Sequence, residues 1–287
     1  MSVIGIAGTG RMGIAFARRL LETGNKVLVW NRTAARTEDA VKAGAAEAAD
    51  LPALAAADII LISLTNAEAV EAVVDGLIAA DIAGRLVIDM STLSPDATEA
   101  IAAKLASAGA EFVDCPVGGT VAPALKGQLL GMAGGTEAAF ARARPVLDQL
   151  CRRVEHLGPA GSGSRMKLAV NLPLALYWQT LAEALATLEG SGISTETAIS
   201  LIADSSAGPT VLKNRAQVVI DTLAGADQPG TFDIAGLSKD LNLALDWARG
   251  SGSVLALSEA AKESYERALD QSLGHFDGAS LTRFLLR

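Results

Sequence analysis

An α/β fold, a doubly wound sheet followed by an all-α domain, is predicted by three features of this 287-residue chain. At the N-terminus a short apolar strand runs into a glycine-rich turn and then a helical pattern. Over the first half, runs rich in Val, Ile and Leu alternate with helical stretches. After about residue 160 the strand signals vanish and helical periodicity continues to the end.

The elements follow in order. Residues 2–7 read as a buried strand, Gly8 to Gly13 as a turn, and the next segment as a helix through Ala15, Phe16, Leu20 and Leu21. Gly24-Asn25 closes that helix with residue types that tolerate positive φ. Val27-Leu28-Val29-Trp30 is the second strand, completing a βαβ unit. Further strands are predicted over 59–64, 86–89 and 111–114, with helices over 34–42, 67–77 and 95–108 between them; 129–133 and 154–157 read as late strands. The early strands supply the parallel core. Helices are predicted over 166–189, 194–204, 212–223, 237–249 and 258–269, punctuated by glycines and prolines such as Gly208-Pro209 and Pro229-Gly230. The expected domains are therefore 1–160 and 161–287.

Half the residues are hydrophobic and a fifth are charged, enough apolar material for a sizeable core. Aromatics make up only 4%, which favours close-packed helices and buried parallel strands. A net charge of −8 argues against a nucleic-acid or anionic-membrane partner. Cys115 and Cys151 lack metal-ligand spacing and read as reduced intracellular thiols; no metal is expected. The apolar start runs straight into glycines without a signal-peptide pattern. The apolar stretch 168–188 contains Asn171, Pro173, Gln179 and Glu183, which suits a buried soluble helix better than a membrane span. A cytoplasmic enzyme is the expectation.

Gly8-Thr9-Gly10-Arg11-Met12-Gly13 lies between a predicted strand and a predicted helix, the context a dinucleotide site requires. Gly8 permits the tight turn, Gly10 lets backbone approach a pyrophosphate, and Gly13 lets helix and strand pack closely. The helix N-terminus then offers N–H groups and a partial positive charge to the phosphates. This is a Rossmann-type arrangement. After the second strand, an NAD site usually carries a carboxylate for the ribose 2′-hydroxyl. Here Asn31-Arg32-Thr33 stands instead. Arg32 can stack on adenine and pair with a 2′-phosphate, and Asn31 and Thr33 can hydrogen-bond it, so NADP(H) is favoured over NAD(H). The plainer reading of Arg32 is a solvated loop residue.

Lys167 and Asn171 are four apart near the start of the long apolar helix, so they share a face. Beside a nicotinamide, the ammonium can protonate a developing alkoxide and the amide can hold substrate. Taken alone, Lys167 is better explained as a surface lysine near a helix start; the rest of the chain weighs against that reading.

Four motifs in order give the chain a resemblance to the β-hydroxyacid dehydrogenase, or 3-hydroxyisobutyrate dehydrogenase, family over essentially its whole length. They are Gly8 to Gly13; Asp114-Cys115-Pro116-Val117-Gly118-Gly119-Thr120 with Pro123, Ala124 and Gly127; Gly161, Gly163, Lys167 and Asn171; and Phe232 through Lys239-Asp240-Leu241. The resemblance implies two domains joined by a long interdomain helix, with the active site in the cleft. It implies Lys167 as the catalytic lysine, Asn171 as a substrate-binding amide, and Gly118, Gly119 and Thr120 as the substrate loop. Leu64, Thr65 and Thr92 are implied to line the nicotinamide half of the cofactor, with Lys239 reaching it from the helical domain. The implied activity is reduction of small carboxylate-bearing aldehydes or ketones to hydroxyacids, or the reverse, in a homodimer or homotetramer.

The chain departs from the family pattern where Gly118 replaces a usual Ser, Pro123 a usual Gly, Val170 a frequent Asn, and Leu64-Thr65 a common Leu-Pro. These changes bear on the substrate rather than on hydride chemistry. Two other readings stay open: an imine reductase on the same scaffold, and a non-catalytic NADPH-binding interaction module. Retention of Lys167 weighs against both. His156, His275, Tyr177, Trp178 and Trp247 read as packing, surface or contact residues, and Cys115 as packing beneath the substrate loop. Trp247 could also border the active site.

Overall fold

In the computed structural model, residues 3–286 are described. The predicted position Ser2 of the first strand lies outside them. The strands are β1 (Val3–Ala7), β2 (Lys26–Trp30), β3 (Ala46–Glu47), β4 (Ile59–Ile62), β5 (Leu86–Asp89), β6 (Glu111–Asp114), β7 (Val117–Gly118), β8 (Leu129–Gly135) and β9 (Cys151–His156). Their order is β3-β2-β1-β4-β5-β6-β8-β7, with β9 paired to β8. Pairs from β3 through β6 are parallel; β8 runs antiparallel to both β6 and β7.

Helices of the first half are α1 (Arg11–Glu22), α2 (Glu38–Lys42), α3 (Leu51–Ala55), α4 (Ala67–Ala79), α5 (Pro95–Ser107), α6 (Val121–Leu125) and α7 (Glu137–Leu150). Asn66, Ser94 and Thr136 each accept a hydrogen bond from the N–H three residues on, which is why α4, α5 and α7 start where they do. Both sheet faces are covered. Ile59 and Leu61 enter one apolar core with Phe16, Leu20 and Leu147; Ile60 and Ile62 enter another with Leu54, Val74, Leu77 and Leu105. Burial on both faces is the physical reason these strands read as continuous apolar runs.

Several boundaries differ from the sequence reading. The helix expected over 34–42 is split into a 3₁₀ turn, Ala34–Thr37, and α2. The strand expected over 59–64 ends at Ile62, and the Leu64 N–H is taken by Ser91 Oγ at 3.0 Å instead of by the sheet. β3, α3, α6 and α7 carry no clear periodic signal: three are short, and α7 contains Pro145 among arginines. β9 begins at Cys151, ahead of the predicted 154; its exposed Arg152 and Arg153 carry no apolar strand signal.

Contacts divide the chain into two compact units, Met1–Lys167 and Leu168–Arg287. The division falls inside α8 (Ser162–Ala186), which begins four residues before the predicted start. α9 (Thr195–Asp204), α10 (Thr210–Leu223), α11 (Ile234–Gly250), α12 (Ala256–Asp270) and α13 (Ser280–Leu285) follow. The core of the second unit gathers Trp178, Leu181, Ile199, Leu212, Leu241, Leu245 and Tyr265. The buried Tyr265 hydroxyl donates to the Ala175 carbonyl at 2.8 Å, so its polar end is satisfied. The short α13 was not expected, nor were the isolated bridges Pro229 to Phe276 and Asp233 to Asp277. Among the described residues no helix is long and apolar enough to cross a membrane.

Candidate active site

Strand register brings the first unit's candidate residues to one edge. Trp30, Ala7, Ile62, Asp89 and Asp114, the last residues of β2, β1, β4, β5 and β6, are successive lateral partners. The loops that follow therefore leave the sheet side by side. They carry Gly8 to Gly13, Asn31 to Thr33, Leu64-Thr65, Thr92 and Gly118 to Thr120. The strand order reverses at β1 and β4, and the carboxyl edge at such a point is where open α/β sheets bind ligands.

The glycines of the first loop differ in what the protein's own packing requires of them. Gly8 has φ +100°, and a Cβ there would lie 2.3 Å from the Ser63 carbonyl oxygen. A Cβ at Gly13 would fall 1.9 Å from the Gly8 carbonyl oxygen, so α1 sits as close to β1 as backbone allows. At Gly10 a Cβ would meet no protein atom within 4 Å; protein packing does not require a glycine there. No side chain caps α1, and the buried Thr9 Oγ1 has no partner among the described residues. These observations fit a dinucleotide phosphate at the helix start.

Side chains tie the neighbouring loops together. Asn31 Oδ1 accepts from the Thr9 N–H at 3.2 Å, and its Nδ2 donates to the Thr33 carbonyl at 3.0 Å. Arg32 is exposed between them, and no carboxylate follows β2 directly. The Asp89 carboxylate accepts from the Ser91 N–H at 2.9 Å, while Ser91 Oγ accepts from the Leu64 N–H. Asp89 and Ser91 thus fix the two loops carrying Leu64, Thr65 and Thr92. Sequence reasoning assigned neither a role, although a buried polar pair straddling a strand end is the available signal.

In the second loop Gly118 ends β7 opposite Leu130, and a Cβ there would make ordinary 3.5 Å contact with Leu130 Cβ. A serine would fit. Gly119 is different: φ is +118° and a Cβ would lie 2.8 Å from Leu129 Cδ2. Thr120 stands at the start of α6 without capping it.

The start of α8 is held by Asp114, at the end of β6. Its two carboxylate oxygens accept from the Gly161 and Ser164 N–H groups at 2.9 and 2.8 Å. Lys167, three residues beyond Ser164, is buried. Asn171 lies one turn further along α8. In the second unit, the Asn171 amide donates to Asp240 Oδ2 at 2.6 Å, and Lys239 Nζ lies 3.3 Å from Asp240 Oδ1. Asp240 thus links two predicted site residues, Asn171 and Lys239. Its carboxylate is buried and orients the amide.

The histidines and cysteines have surroundings of their own, His275 in an exposed position. His156 stacks on Phe140 at 4.7 Å with Nε2 2.8 Å from the Gly135 carbonyl, and His275 lies against Phe276. Cys115 is fully buried, and burial, with Cys151 and Asp114 nearby, pushes its thiol well up, away from thiolate chemistry. Cys151 is pushed up to about 12, chiefly by burial. Among the described residues no three His, Cys, Asp or Glu side chains are grouped to hold a metal ion.

Residues 3–158 match a family model for the NAD binding domain of 6-phosphogluconate dehydrogenase. Residues 161–285 match one described as NAD-binding of NADP-dependent 3-hydroxyisobutyrate dehydrogenase. The chain is 32% identical over 284 residues to 2-(hydroxymethyl)glutarate dehydrogenase of Eubacterium barkeri, covering 98% of this chain and 93% of that protein. It is 29% identical over 279 residues to glyoxylate/succinic semialdehyde reductase 1 of Arabidopsis thaliana, covering 96% and 95%. The Mycobacterium tuberculosis 3-hydroxyisobutyrate dehydrogenase structure with L-serine superimposes with a TM-score of 0.90 at 28% identity, over 100% of both chains. With a nicotinamide-nucleotide fold at its N-terminus and relatives matching it from end to end, the chain belongs to the β-hydroxyacid dehydrogenase family and is an oxidoreductase acting on CH–OH groups.

Proposed function

We propose that the protein is an NADP(H)-dependent reductase of small carboxylate-bearing aldehydes and ketones, or a dehydrogenase of the corresponding hydroxyacids. The observation that carries this reading is the arrangement on α8: a buried lysine, and one turn on an amide oriented by the buried Asp240. When bound, the nicotinamide supplies or takes the hydride. Lys167 delivers the proton to the carbonyl oxygen in reduction and takes it back in oxidation. Asn171, Gly118, Gly119 and Thr120 hold the substrate, with backbone N–H groups near Gly118-Gly119 offering a cradle for a carboxylate. Gly8, Thr9, Gly10, Arg11, Met12 and Gly13 hold the pyrophosphate. Leu64, Thr65, Thr92 and Lys239 hold the nicotinamide half. Residues 1–160 serve as the cofactor domain and 161–287 as the substrate and subunit-contact domain.

The preference for NADP(H) rests on Asn31-Arg32-Thr33, where no acidic side chain opposes a 2′-phosphate. The NADP-dependent description of the second matching family model supports it. The test is a spectrophotometric panel of short aldehydes, semialdehydes, 2-keto acids, 3-hydroxyacids and cyclic imines, each with NADPH and NADH. Turnover concentrated on carboxylate-bearing carbonyls or hydroxyacids with NADP(H) is expected. Turnover confined to imines points to the imine reductase, and cofactor binding with no turnover to a non-catalytic module.

A further inference from the structure

We propose that Asp114 is a positioning residue for Lys167, setting the placement of the helix that carries the proton donor. This rests on the reading of Lys167 given above.

The first N–H groups of a helix lack partners within it and are usually met by local side chains. In a capping box, two local side chains take the N–H groups of the cap residue and of the third helical residue. At α8 those residues are Gly161 and Ser164, and Gly161 has no side chain to offer. A single carboxylate from the end of β6, about 50 residues earlier in the chain, takes both N–H groups. The cap is built from the sheet, so the helix is fixed to the sheet edge at its first turn.

The fit leaves little slack. A Cβ at Gly134 would lie 2.5 Å from Asp114 Oδ1; one at Gly163 would lie 2.2 Å from the Met132 carbonyl oxygen and 2.8 Å from Asp114 Oδ2. Thr98 Oγ1 and Ser164 Oγ, both buried, hydrogen-bond at 2.9 Å and pin the same turn from α5. At the surface of this turn Arg165 pairs with Glu99 at 2.7 Å. Lys167 follows Ser164 by about 4.5 Å of helix rise, so whatever sets the first turn sets the lysine's backbone.

An aspartate at this place carries a cost in stability. Burial raises the Asp114 pKa, and the hydrogen bonds that its carboxylate accepts, the Gly161 and Ser164 N–H groups first among them, only partly offset this. The carboxyl therefore holds its proton more tightly folded than unfolded, and its ionisation costs stability as pH rises through the folded value. An amide of the same shape avoids that cost. What the amide lacks is a second acceptor: only the carboxylate meets both N–H groups at once.

The test is Asp114→Asn in the full chain, measured with NADPH and the best carbonyl substrate from the panel. The melting temperature is expected to stay within about 5 °C of wild type. NADPH affinity and KM should stay within about threefold while kcat falls roughly 10- to 100-fold, because small misplacements of a reacting group act on turnover. A purely structural role would lower kcat only in step with the folded or cofactor-bound fraction. That result, or wild-type kcat, overturns the proposal. Should Asp114→Asn not fold, Gly163→Ala decides. Its added Cβ displaces the first turn while keeping the carboxylate, and it is expected to lower kcat about tenfold or more with NADPH binding kept. Wild-type kcat in folded Gly163→Ala overturns the proposal. Lys167→Ala, run alongside, separates the two claims. Wild-type turnover there removes the underlying reading, whereas its loss beside normal Asp114→Asn turnover removes only the positioning role.

Discussion

Asn31, Ser91, Asp114 and Asp240 each spend a side chain holding another functional residue or loop in place. Preorganisation of this kind is what lets exposed or reactive groups nearby specialise. Arg32 is such a group. Replacing it with glutamate puts an anion where the 2′-phosphate is proposed to sit. The KM for NADPH should rise roughly 10- to 100-fold while that for NADH changes less, read from initial rates with each cofactor. Gly118 is the selectivity counterpart. A serine fits beside Leu130, so Gly118→Ser should fold normally and alter kcat/KM between carboxylate substrates by about tenfold, the scale of one hydrogen bond. Identical substrate ratios in the two proteins would remove Gly118 from the substrate loop. The glycines, Lys167 and Asn171 were legible because their spacing is local. Asp114 and Asp240 were not, because their partners lie 47, 50 and 69 residues away.

At the scale of elements, close approach between β1 and α1 carries the first loop. Gly13→Ala would push a methyl into the Gly8 carbonyl, so either α1 moves or the loop does. A loss of about 1–3 kcal/mol in stability is expected, read as a lower melting temperature, together with weaker NADPH binding. Apart from α7, with Pro145 among its arginines, the long elements of both halves were readable from periodicity, since strands buried on two faces and helices with apolar stripes leave strong patterns. β3 and α3 were not: the strand is two residues long and the helix five, too short for a period to show. The start of α8 was missed for another reason. Periodicity begins only at Met166, and the carboxylate of β6 holds the glycine-containing first turn ahead of it.

For the whole molecule, the two-part organisation follows from the change in pattern near residue 160, while the contact division falls inside α8. The second unit exposes Leu201, Val254 and Leu257, apolar residues of the kind that subunit contacts cover. A homodimer or homotetramer is proposed, and sedimentation equilibrium should return an integral multiple of the 29.3 kDa chain. A monomer at micromolar concentration would reject it. The functional claim narrows to Lys167 as proton donor. Its most direct test is steady-state turnover of Lys167→Ala beside wild type on the preferred carbonyl substrate, with NADPH affinity measured separately. Turnover should fall by at least about 100-fold with cofactor affinity little changed; comparable turnover in the variant would contradict the account.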